Sequence, residues 1–238
     1  MSFSQRLRGF RRGGKVRLME DQQLYWDRVA AQKTFTHPLD QGWLDTFIPK
    51  TARILDYGCG YGRILAELAS KGYTNTVGMD TSAAMVERGR RAFPKLDIRI
   101  IQGVPIEEAD ASFDAVLLLA VLTCIPSNEG QEAVVREARR LLQPGGTLYL
   151  SDMPLQADSR NRVRYARDAP RFGTYGVFET DDGAVVRHHD KQRLGALLAG
   201  FETVATASIA ISTMNGHPAA GVQTLARVGR PGIPTHPG

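Results

Sequence analysis

Two periodicities of apolar and polar positions alternate along most of the chain. Short apolar runs, which are typical of buried strands, are followed by longer stretches in which apolar residues recur at helical spacing. The pattern predicts strands at Ala52–Tyr57, Thr76–Met79, Asp97–Ile101, Phe113–Leu119, Thr147–Ser151, Glu202–Ile209 and Val222–Val228. It predicts helices at Asp21–Lys33, Leu39–Phe47, Gly62–Lys71, Ser82–Phe93, Asn128–Leu142 and Asp190–Ala199.

Strands that are separated by helices favour a doubly wound α/β fold, with a mostly parallel seven-stranded sheet and helices on both faces. The run Leu117–Leu122 is apolar throughout, as expected of a central strand that is covered on both sides. Residues 153–189 interrupt the alternation and form an insert after the fifth strand. Within this insert, Val177–Val186 predicts a β-hairpin, and Asp182-Gly183 suits a type I′ turn.

The first predicted strand ends in an acid and in glycines at every second position. Asp56 is followed by Gly58, Gly60 and Gly62, and a helical pattern begins directly afterwards. A glycine-rich turn between strand and helix exposes backbone N–H groups at the positive end of the helix, and it lets a ligand approach the main chain closely. The dinucleotide-binding pattern G-x-G-x-x-G does not fit, because Arg63 stands at its third glycine. An ordinary tight turn is the alternative interpretation.

The order of strand, acid, glycines and helix resembles motif I, D/E-x-G-x-G-x-G, of the class I S-adenosylmethionine (SAM) dependent methyltransferases. Further segments resemble the same family in the expected order, at Tyr25–Ala30 (the lid helix pattern Y-W/Y-D-x-x-A), Val77–Met85, Ser112–Val116 and Leu141–Gly146. The resemblance implies a Rossmann-like methyltransferase fold that binds SAM and releases S-adenosylhomocysteine. It also implies one domain over residues 19–238, with an N-terminal helical lid over residues 19–50 and a substrate-binding insert over residues 153–189.

The resemblance assigns a set of residues to the cofactor. They are Tyr25, Asp56, Gly58, Gly60, Gly62, Asp80, Thr81, Met85, Val104 and Ala120. Asp80 ends the second strand, where a carboxylate can accept hydrogen bonds from both ribose hydroxyls. Capping of the next helix is the alternative for Asp80, although Ser82 could take that role. The family often has an acid after the third strand, and backbone groups near Val104 and Pro105, or the side chain of Glu107, could replace it here.

Absent motifs narrow the choice of acceptor. The fourth strand is not followed by D/N-P-P-Y/F, which argues against methylation of the exocyclic amines of nucleic-acid bases. Cys124 lacks a preceding proline, so a buried thiol is favoured over a nucleophile for pyrimidine carbon methylation. Ala120 stands where the metal-dependent catechol-type enzymes have an aspartate, so no metal is expected. The resemblance therefore implies methylation of an oxygen, nitrogen or carbon atom of a small molecule.

A general base is needed only if the acceptor loses a proton, because the cofactor itself supplies an activated methyl group. His188 and His189 are the candidate catalytic bases, since they follow the predicted hairpin and precede Asp190, a predicted N-cap. His37, near the lid helix, is a third candidate. Two adjacent histidines at a strand end can equally be one solvated and one packed residue. Three aromatic residues of the insert either line the acceptor pocket or form a small core of their own: Tyr165, Phe172 and Tyr175.

The net charge of +5 comes from the N-terminal end of the chain. Residues 1–18 hold six basic residues and no acid, which leaves the rest of the chain at about −1. We expect this segment to be a disordered tail, and it could be a solvated leader, a polyanion-binding arm or an Arg-rich transit peptide. No apolar run approaches the roughly 20 residues that span a bilayer. Two cysteines without a C-x-x-C motif suit a reducing cytoplasm.

Together these features predict a cytoplasmic, metal-independent methyltransferase whose partner is a small-molecule acceptor. Nucleic acid and membranes are not expected partners, and a homodimer is left open. The runner-up is an RNA or protein methyltransferase that uses the Arg-rich tail. A SAM-binding module without transfer activity is an alternative from a different class of protein.

Overall fold

The computed structural model describes residues 22–229, and the tail predicted over residues 1–18 lies outside them. Residues 22–29 are helical and form α1. The other helices are α2 (Gln41–Phe47), α3 (Arg63–Ser70), α4 (Ala83–Ala92), α5 (Asn128–Leu141), α6 (Ser159–Phe172) and α7 (Lys191–Leu197), with a 3₁₀ helix at Leu122–Cys124. The strands are β1 (Ile54–Tyr57), β2 (Thr76–Asp80), β3 (Asp97–Ile100), β4 (Phe113–Leu119), β5 (Leu142–Asp152), β6 (Val177–Glu179), β7 (Val185–Arg187), β8 (Glu202–Ser212) and β9 (Pro218–Arg227). Within the described range, none of the helices is both long enough and apolar enough to cross a membrane.

One seven-stranded sheet organises the described residues, in the order β3-β2-β1-β4-β5-β9-β8. Neighbouring strands from β3 to β5 pair in parallel, whereas β9 pairs antiparallel with both β5 and β8. The chain runs outward from β1 to β3 and then returns to β4 on the other side of β1. In an open α/β sheet such a reversal creates a crevice at the carboxyl ends of the strands. The predicted doubly wound, mostly parallel seven-stranded sheet is confirmed.

Strand β4 lies at the centre of the core because both of its faces are covered. Val116 and Leu118 pack in one apolar cluster with α5 and α7, and Ala115 and Leu117 pack in a second cluster with α2 and α3. All four side chains are fully buried. Full burial of a Val or Leu side chain stabilises by roughly 1.5–3 kcal/mol. The core therefore fixes the carboxyl end of β4, where the crevice opens.

Helix α1, the predicted lid and called the lid helix below, is fixed to α4 by two contacts near the C-terminus of α1. Asp27 of α1 accepts hydrogen bonds from Oγ of Ser82 at 2.6 Å and from N of Ala84 at 3.1 Å, at the N-terminus of α4. Arg88 of α4 donates to the carbonyl oxygen of Ala30, just beyond the C-terminus of α1, at 2.6 Å. An acid at a helix N-terminus and a cation at a helix C-terminus are both favourable to the helix dipole. These contacts place α1 next to the carboxyl end of β2.

The insert contains α6, which the sequence pattern did not predict, and the hairpin β6–β7, which it did. Helix α6 begins after Asp158, whose side chain caps it by accepting a hydrogen bond from N of Asn161. The buried positions of α6 are Asn161, Tyr165 and Asp168. Its buried face is therefore mostly polar, so the sequence lacks the apolar period that would have predicted a helix.

The turn of this hairpin differs from the prediction. Glu179 pairs with Val185, so five residues connect the two strands. The N–H of Gly183 donates to the carbonyl oxygen of Thr180 at 2.9 Å, which makes Gly183 the last residue of the turn rather than a central one. The hydroxyl of Thr180 also donates to Oδ1 of Asp182 at 2.6 Å and holds the longer loop. The prediction of a type I′ turn at Asp182-Gly183 is wrong for this reason.

Candidate active site

The loop between β1 and α3 is built on glycines with positive φ. Gly58, Gly60 and Gly62 have φ angles of 72°, 55° and 80°, a left-handed conformation that favours glycine. A Cβ atom on Gly60 would stand 2.0 Å from the ring of Phe35, which itself stacks on Tyr61. Glycine is therefore required by the turn and, at Gly60, by the close approach of the segment that follows α1.

Asp80, at the end of β2, connects two loops of the site. Its Oδ2 accepts a hydrogen bond from N of Gly60 at 2.7 Å, and its Oδ1 accepts one from N of Ser82 at 2.8 Å. Burial raises the pKa of Asp80, although the backbone hydrogen bonds from Ser82 and Gly60 act to lower it. Ser82 caps α4, because its hydroxyl accepts from N of Met85. Since Ser82 performs the capping, the carboxylate of Asp80 keeps lone pairs for the hydroxyl groups of a ligand.

Asp56, the acid of the glycine motif, is only 2% exposed on β1. Its Oδ2 has no hydrogen-bond partner in the described part of the chain. Burial raises the pKa of Asp56 to about 7, while Arg63 acts to lower it and Asp80 to raise it. A buried polar group without a partner costs on the order of 1–3 kcal/mol, more if it is charged, and an ammonium group would remove that cost. The residues therefore fit SAM, whose amino-acid end carries an ammonium group and whose ribose carries two hydroxyls.

Ala120 directly follows β4 and has an unusual backbone. Its φ is +55°, which costs a residue with a Cβ roughly 1–2 kcal/mol. Its N–H donates to the carbonyl oxygen of Ser151 at 2.8 Å, and its own carbonyl oxygen accepts from the thiol of Cys124 at 3.3 Å. Burial raises the pKa of Cys124, so the thiol stays protonated. Backbone strain of this kind is concentrated at functional sites, and here it falls at the edge of the crevice.

The other predicted cofactor residues lie around this centre with different partners. The carbonyl oxygen of Thr81 accepts from Nε2 of Gln23 at 3.0 Å, so it contacts the lid helix. Met85 is fully buried in the cluster beneath the lid. Val104 is partly buried against the main core, and Glu107 is exposed. Their assignment to the cofactor stays a prediction.

The lid helix and the insert are joined by contacts to Asp182, which we call the lid latch (Tyr25, Lys33 and Asp182). The hydroxyl of Tyr25 donates to Oδ2 of Asp182 at 2.9 Å, and Nζ of Lys33 lies 2.5 Å from the same oxygen. Burial acts to raise the pKa of Asp182, but hydrogen bonds, that of Lys33 foremost, hold it below its usual range. Gln22 adds a second connection: its side-chain amide donates a hydrogen bond to the carbonyl oxygen of Val185 and accepts one from N of Val185. Tyr25, predicted at the cofactor, thus contacts the insert.

His188 is packed inside the insert. It is 5% exposed, its ring lies against those of Tyr165 and Phe178, and its Nδ1 is hydrogen-bonded to the hydroxyl of Tyr165. Burial, and secondly Arg164, lower the pKa of His188 to about 3. Tyr165 is fully buried in this cluster, whereas Tyr175 is half exposed at its edge. His188 is therefore a neutral imidazole whose Nδ1 already has a partner.

His189 lies where the insert meets the end of β5. Its Nε2 is 3.3 Å from Oδ1 of Asp152, and both side chains are fully buried. Neither ring nitrogen has an aligned hydrogen-bond partner among residues 22–229. His37 is also buried, and its Nε2 likewise has no hydrogen-bond partner among the described residues. Burial lowers the pKa of His37; the charge of Asp152 acts to raise this pKa, and that of Arg63 acts to lower it. The described residues contain no group of three or more His, Cys, Asp or Glu side chains that could hold a metal ion.

Three residues of this region were not predicted from the sequence. Asp27 fixes the lid, Asp182 joins the lid to the insert, and Asp152 faces His189. Asp27 had a signal, because it is the acid of the Y-W-D-x-x-A pattern. Asp152 had one too, since it follows the predicted fifth strand at the end where ligands bind in α/β sheets. Asp182 had none beyond its place in a turn.

Comparison with known proteins agrees with this geometry. The family described as "Methyltransferase domain" matches residues 55–150, from β1 to β5. The ubiquinone biosynthesis O-methyltransferase of Paracidovorax citrulli is 33% identical over 122 residues, which are 48% of this chain and 50% of that protein. The 27-O-demethylrifamycin SV methyltransferase of Amycolatopsis mediterranei is 33% identical over 141 residues, 55% of this chain and 50% of that protein. The chain thus matches about half the length of these curated relatives.

A solved structure extends the likeness beyond the matched segment. A SAM-dependent methyltransferase from Methanosarcina mazei superposes with a TM-score of 0.76 at 25% identity. The match covers 81% of this chain and 99% of the other. Residues 55–150 are thus similar to the methyltransferase domain family, and the fold of the chain is that of the SAM-dependent methyltransferases.

Proposed function

We propose that the protein transfers the methyl group of SAM to a hydroxyl oxygen of a small-molecule acceptor. The observation that carries the proposal is the buried carboxylate of Asp56, with its unpaired Oδ2, beside the glycine loop. The similarity of residues 55–150 to the methyltransferase domain family supports the class of reaction. The activities named for the two curated relatives, O-methylation in ubiquinone biosynthesis and methylation of 27-O-demethylrifamycin SV, support a small acceptor and favour oxygen.

In this proposal two carboxylates hold the cofactor. Asp56 is the counter-charge for the ammonium group, and Asp80 accepts from the ribose hydroxyls while it keeps its hydrogen bond to Gly60. When bound, SAM supplies a methyl group that is activated by its sulfonium centre. The contribution of the chain is then to align the acceptor and to exclude water, which together can account for much of the rate.

The lid and the insert favour a small acceptor over a polymer. Helix α1 is tied to α4 through Asp27 and Arg88 and to the insert through the lid latch, so both segments cover the same edge of the sheet. A closed cover suits a molecule that can be enclosed, and it removes water from the reacting groups. The proposed compartment is the cytoplasm, in line with the free thiols of Cys59 and Cys124.

A hydroxyl acceptor must lose its proton, and His189 is the proposed base. The Nδ1 of His188 is already bonded to Tyr165 in the insert core. In contrast, the ring nitrogens of His189 are unpaired among the described residues, and the imidazole faces a carboxylate at the carboxyl end of β5. This geometry favours His189 over its neighbour as the group that accepts the proton.

The experiment measures the formation of S-adenosylhomocysteine when SAM is mixed with hydroxyl compounds or with amines of matched size. We expect product with the hydroxyl compounds, carrying a mass increase of one methylene. Asp80→Ala should raise the Kd for SAM about 100-fold, since hydrogen bonds to a charged group contribute roughly 1.5–3 kcal/mol. Asp45→Asn, on the exposed face of α2, is the matched control and should bind as the native chain does.

Two other outcomes would change the proposal. Product with amines alone would contradict the choice of oxygen and leave methyl transfer standing. Tight binding of SAM without turnover on any acceptor would favour the non-catalytic SAM-binding module.

A further inference from the structure

A buried carboxylate and a buried imidazole meet at the carboxyl end of β5, and the charge of the carboxylate also acts on a second buried imidazole. The groups are Asp152, His189 of the insert and His37 of the segment between α1 and α2. They come from three parts of the chain that the lid and the insert bring together. None of these side chains is a partner of the glycine loop or of Asp80, so they lie outside the part of the site that the cofactor motif explains.

Asp152 is held from two sides by backbone hydrogen bonds. Its Oδ1 accepts from N of Met153 at 2.7 Å, and its Oδ2 accepts from N of Thr123 in the 3₁₀ helix at 3.1 Å. Each carboxylate oxygen is thereby fixed, while Oδ1 retains a lone pair on the side of His189. The carboxylate is thus in a defined position before any ligand arrives.

The imidazole of His189 is placed against this carboxylate but is not fully satisfied. Nε2 of His189 lies 3.3 Å from Oδ1 of Asp152, which is within ion-pair distance. The two atoms are not aligned as a hydrogen bond. Hydrogen bonds of catalytic groups are often long or misaligned before the substrate binds. The backbone of His189 is itself secured, since its N donates to O of Met153 and its O accepts from N of Leu155, both within 2.9 Å.

We propose that Asp152 is the positioning residue of the acceptor site: it holds Nε2–H of His189, so that Nδ1 faces the acceptor as a proton acceptor. The inference rests on the proposed function. The hydroxyl proton moves to Nδ1 as its O–H bond breaks, and the oxygen pair forms the new bond to the methyl carbon. The sulfur keeps the pair of the broken S–C bond, and the imidazolium later returns its proton to water.

Other titratable groups face this pair from the packed elements. His37 comes from the lid segment, Cys124 from the 3₁₀ helix and His188 from the insert. His188 and Cys124 are neutral, because burial lowers the pKa of the first and raises that of the second. Burial also lowers the pKa of His37. The carboxylate of Asp152, whose Oδ1 lies 3.3 Å from Nε2, is the group placed to stabilise a proton on the ring of His189.

Nitrogen-15 NMR of histidine-labelled full-length protein tests the placement without any substrate. The signals of His189 are those lost in His189→Gln, and His217→Gln, in the exposed β8–β9 turn, is the matched control. We expect a pyridine-like Nδ1 and a protonated Nε2 at His189. Asp152→Asn should mix the two tautomers, and Asp152→Glu should restore the preference in part. A protonated Nδ1 in the native protein would overturn the proposal.

Kinetics with phenol, 4-chlorophenol and 4-nitrophenol separate positioning from mere structural support. General-base assistance contributes on the order of 10²-fold or more, and less as the acceptor becomes more acidic. We expect Asp152→Asn to lower kcat about 100-fold with phenol and under 10-fold with 4-nitrophenol, with an unchanged Kd for SAM. An equal loss with every phenol, or no methylation of any phenol by the native protein, would overturn the proposal. Failure of the proposed function differs, because no hydroxyl compound of any class would then yield S-adenosylhomocysteine.

Discussion

At the residue scale, the crevice contains polar side chains that the fold buries without pairing them. Oδ2 of Asp56, Nε2 of His37, Oγ of Ser151 and both ring nitrogens of His189 lack hydrogen-bond partners among the described residues. Ordinary cores avoid such groups because each costs free energy. Asp56 lies on β1 and Ser151 on β5, and His189 lies two residues after the end of β7. In the proposed function, a bound ligand supplies the missing partners.

The binding of SAM should depend on pH through Asp56. Burial raises the pKa of Asp56 from 3.8 to about 7, so the carboxyl is largely neutral below pH 7 and charged above it. An ammonium group binds the charged form. We expect the Kd for SAM, measured by titration calorimetry, to be about ten-fold weaker at pH 6 than at pH 8.

Asp56→Asn should remove most of this dependence, and an equal slope in the variant would contradict the role of Asp56. Stability of the free protein should move the other way. Because the folded pKa lies above the unfolded value, the native state holds an extra proton between about pH 4 and 7. The contribution of Asp56 to the free energy of unfolding therefore falls as pH rises through that window, and it levels off above it.

The sequence could predict those site residues whose positions depend on their neighbours in the chain, and not those placed by long-range contacts. Asp56 lies on β1 and Asp80 at the end of β2, each just before a turn, so their placement at the crevice depends on neighbours in sequence. Asp152 and His189 meet only because the insert folds back onto β5, through parallel pairing of Pro154 with His189. No spacing in the sequence encodes that contact, so the pairing of Asp152 with His189 could not be predicted.

At the element scale, the lid helix and the insert are joined by the contacts of Asp182 and Gln22. Lid helix α1 could be predicted from its pattern, and so could the hairpin. Helix α6 could not, because Asn161 and Asp168 take positions where a helix usually buries apolar side chains. Their hydrogen bonds replace apolar contacts: Asp168 accepts from N of Glu179 at 3.0 Å and ties α6 to β6. Polar packing of this kind is specific but leaves no hydrophobic period.

Opening of the lid should become easier when the lid latch is broken. Asp182→Ala removes the partner of Tyr25 and Lys33, and hydrogen bonds to a charged group contribute roughly 1.5–3 kcal/mol. Partial exposure of the latch reduces that value, so we expect roughly ten-fold faster amide exchange over residues 22–33. Asp181→Ala, at the exposed neighbouring position, is the control. Unchanged exchange in Asp182→Ala would show that the lid is held elsewhere.

At the scale of the whole molecule, alternation of strands and helices predicted the sheet, and the structure confirms it. The antiparallel pairing of β9 with β5 and β8 was not specified by that pattern, since a strand that returns through a hairpin has the same apolar period.

Charge is distributed unevenly along the chain, with the positive excess in residues 1–18. This asymmetry is the feature that keeps the RNA or protein methyltransferase as a competing hypothesis.

Deletion of residues 2–18 tests that competitor. The proposal predicts that turnover of a small acceptor and its dependence on salt stay within about two-fold of the native chain. A polyanion-binding tail would instead give acceptor binding that weakens steeply with salt in the native chain and is lost on deletion. The comparison is made by measuring the KM for the acceptor at 50 and 200 mM salt.

The central claim is that SAM donates its methyl group to a small molecule. Its most direct test is incubation of the purified full-length protein with methyl-labelled SAM and three separate pools from cell extract: metabolites, RNA and protein. The account predicts label in the metabolite pool alone, in a product that Asp80→Ala fails to form at the same SAM concentration. Label in RNA or protein, with none in the metabolites, would contradict it.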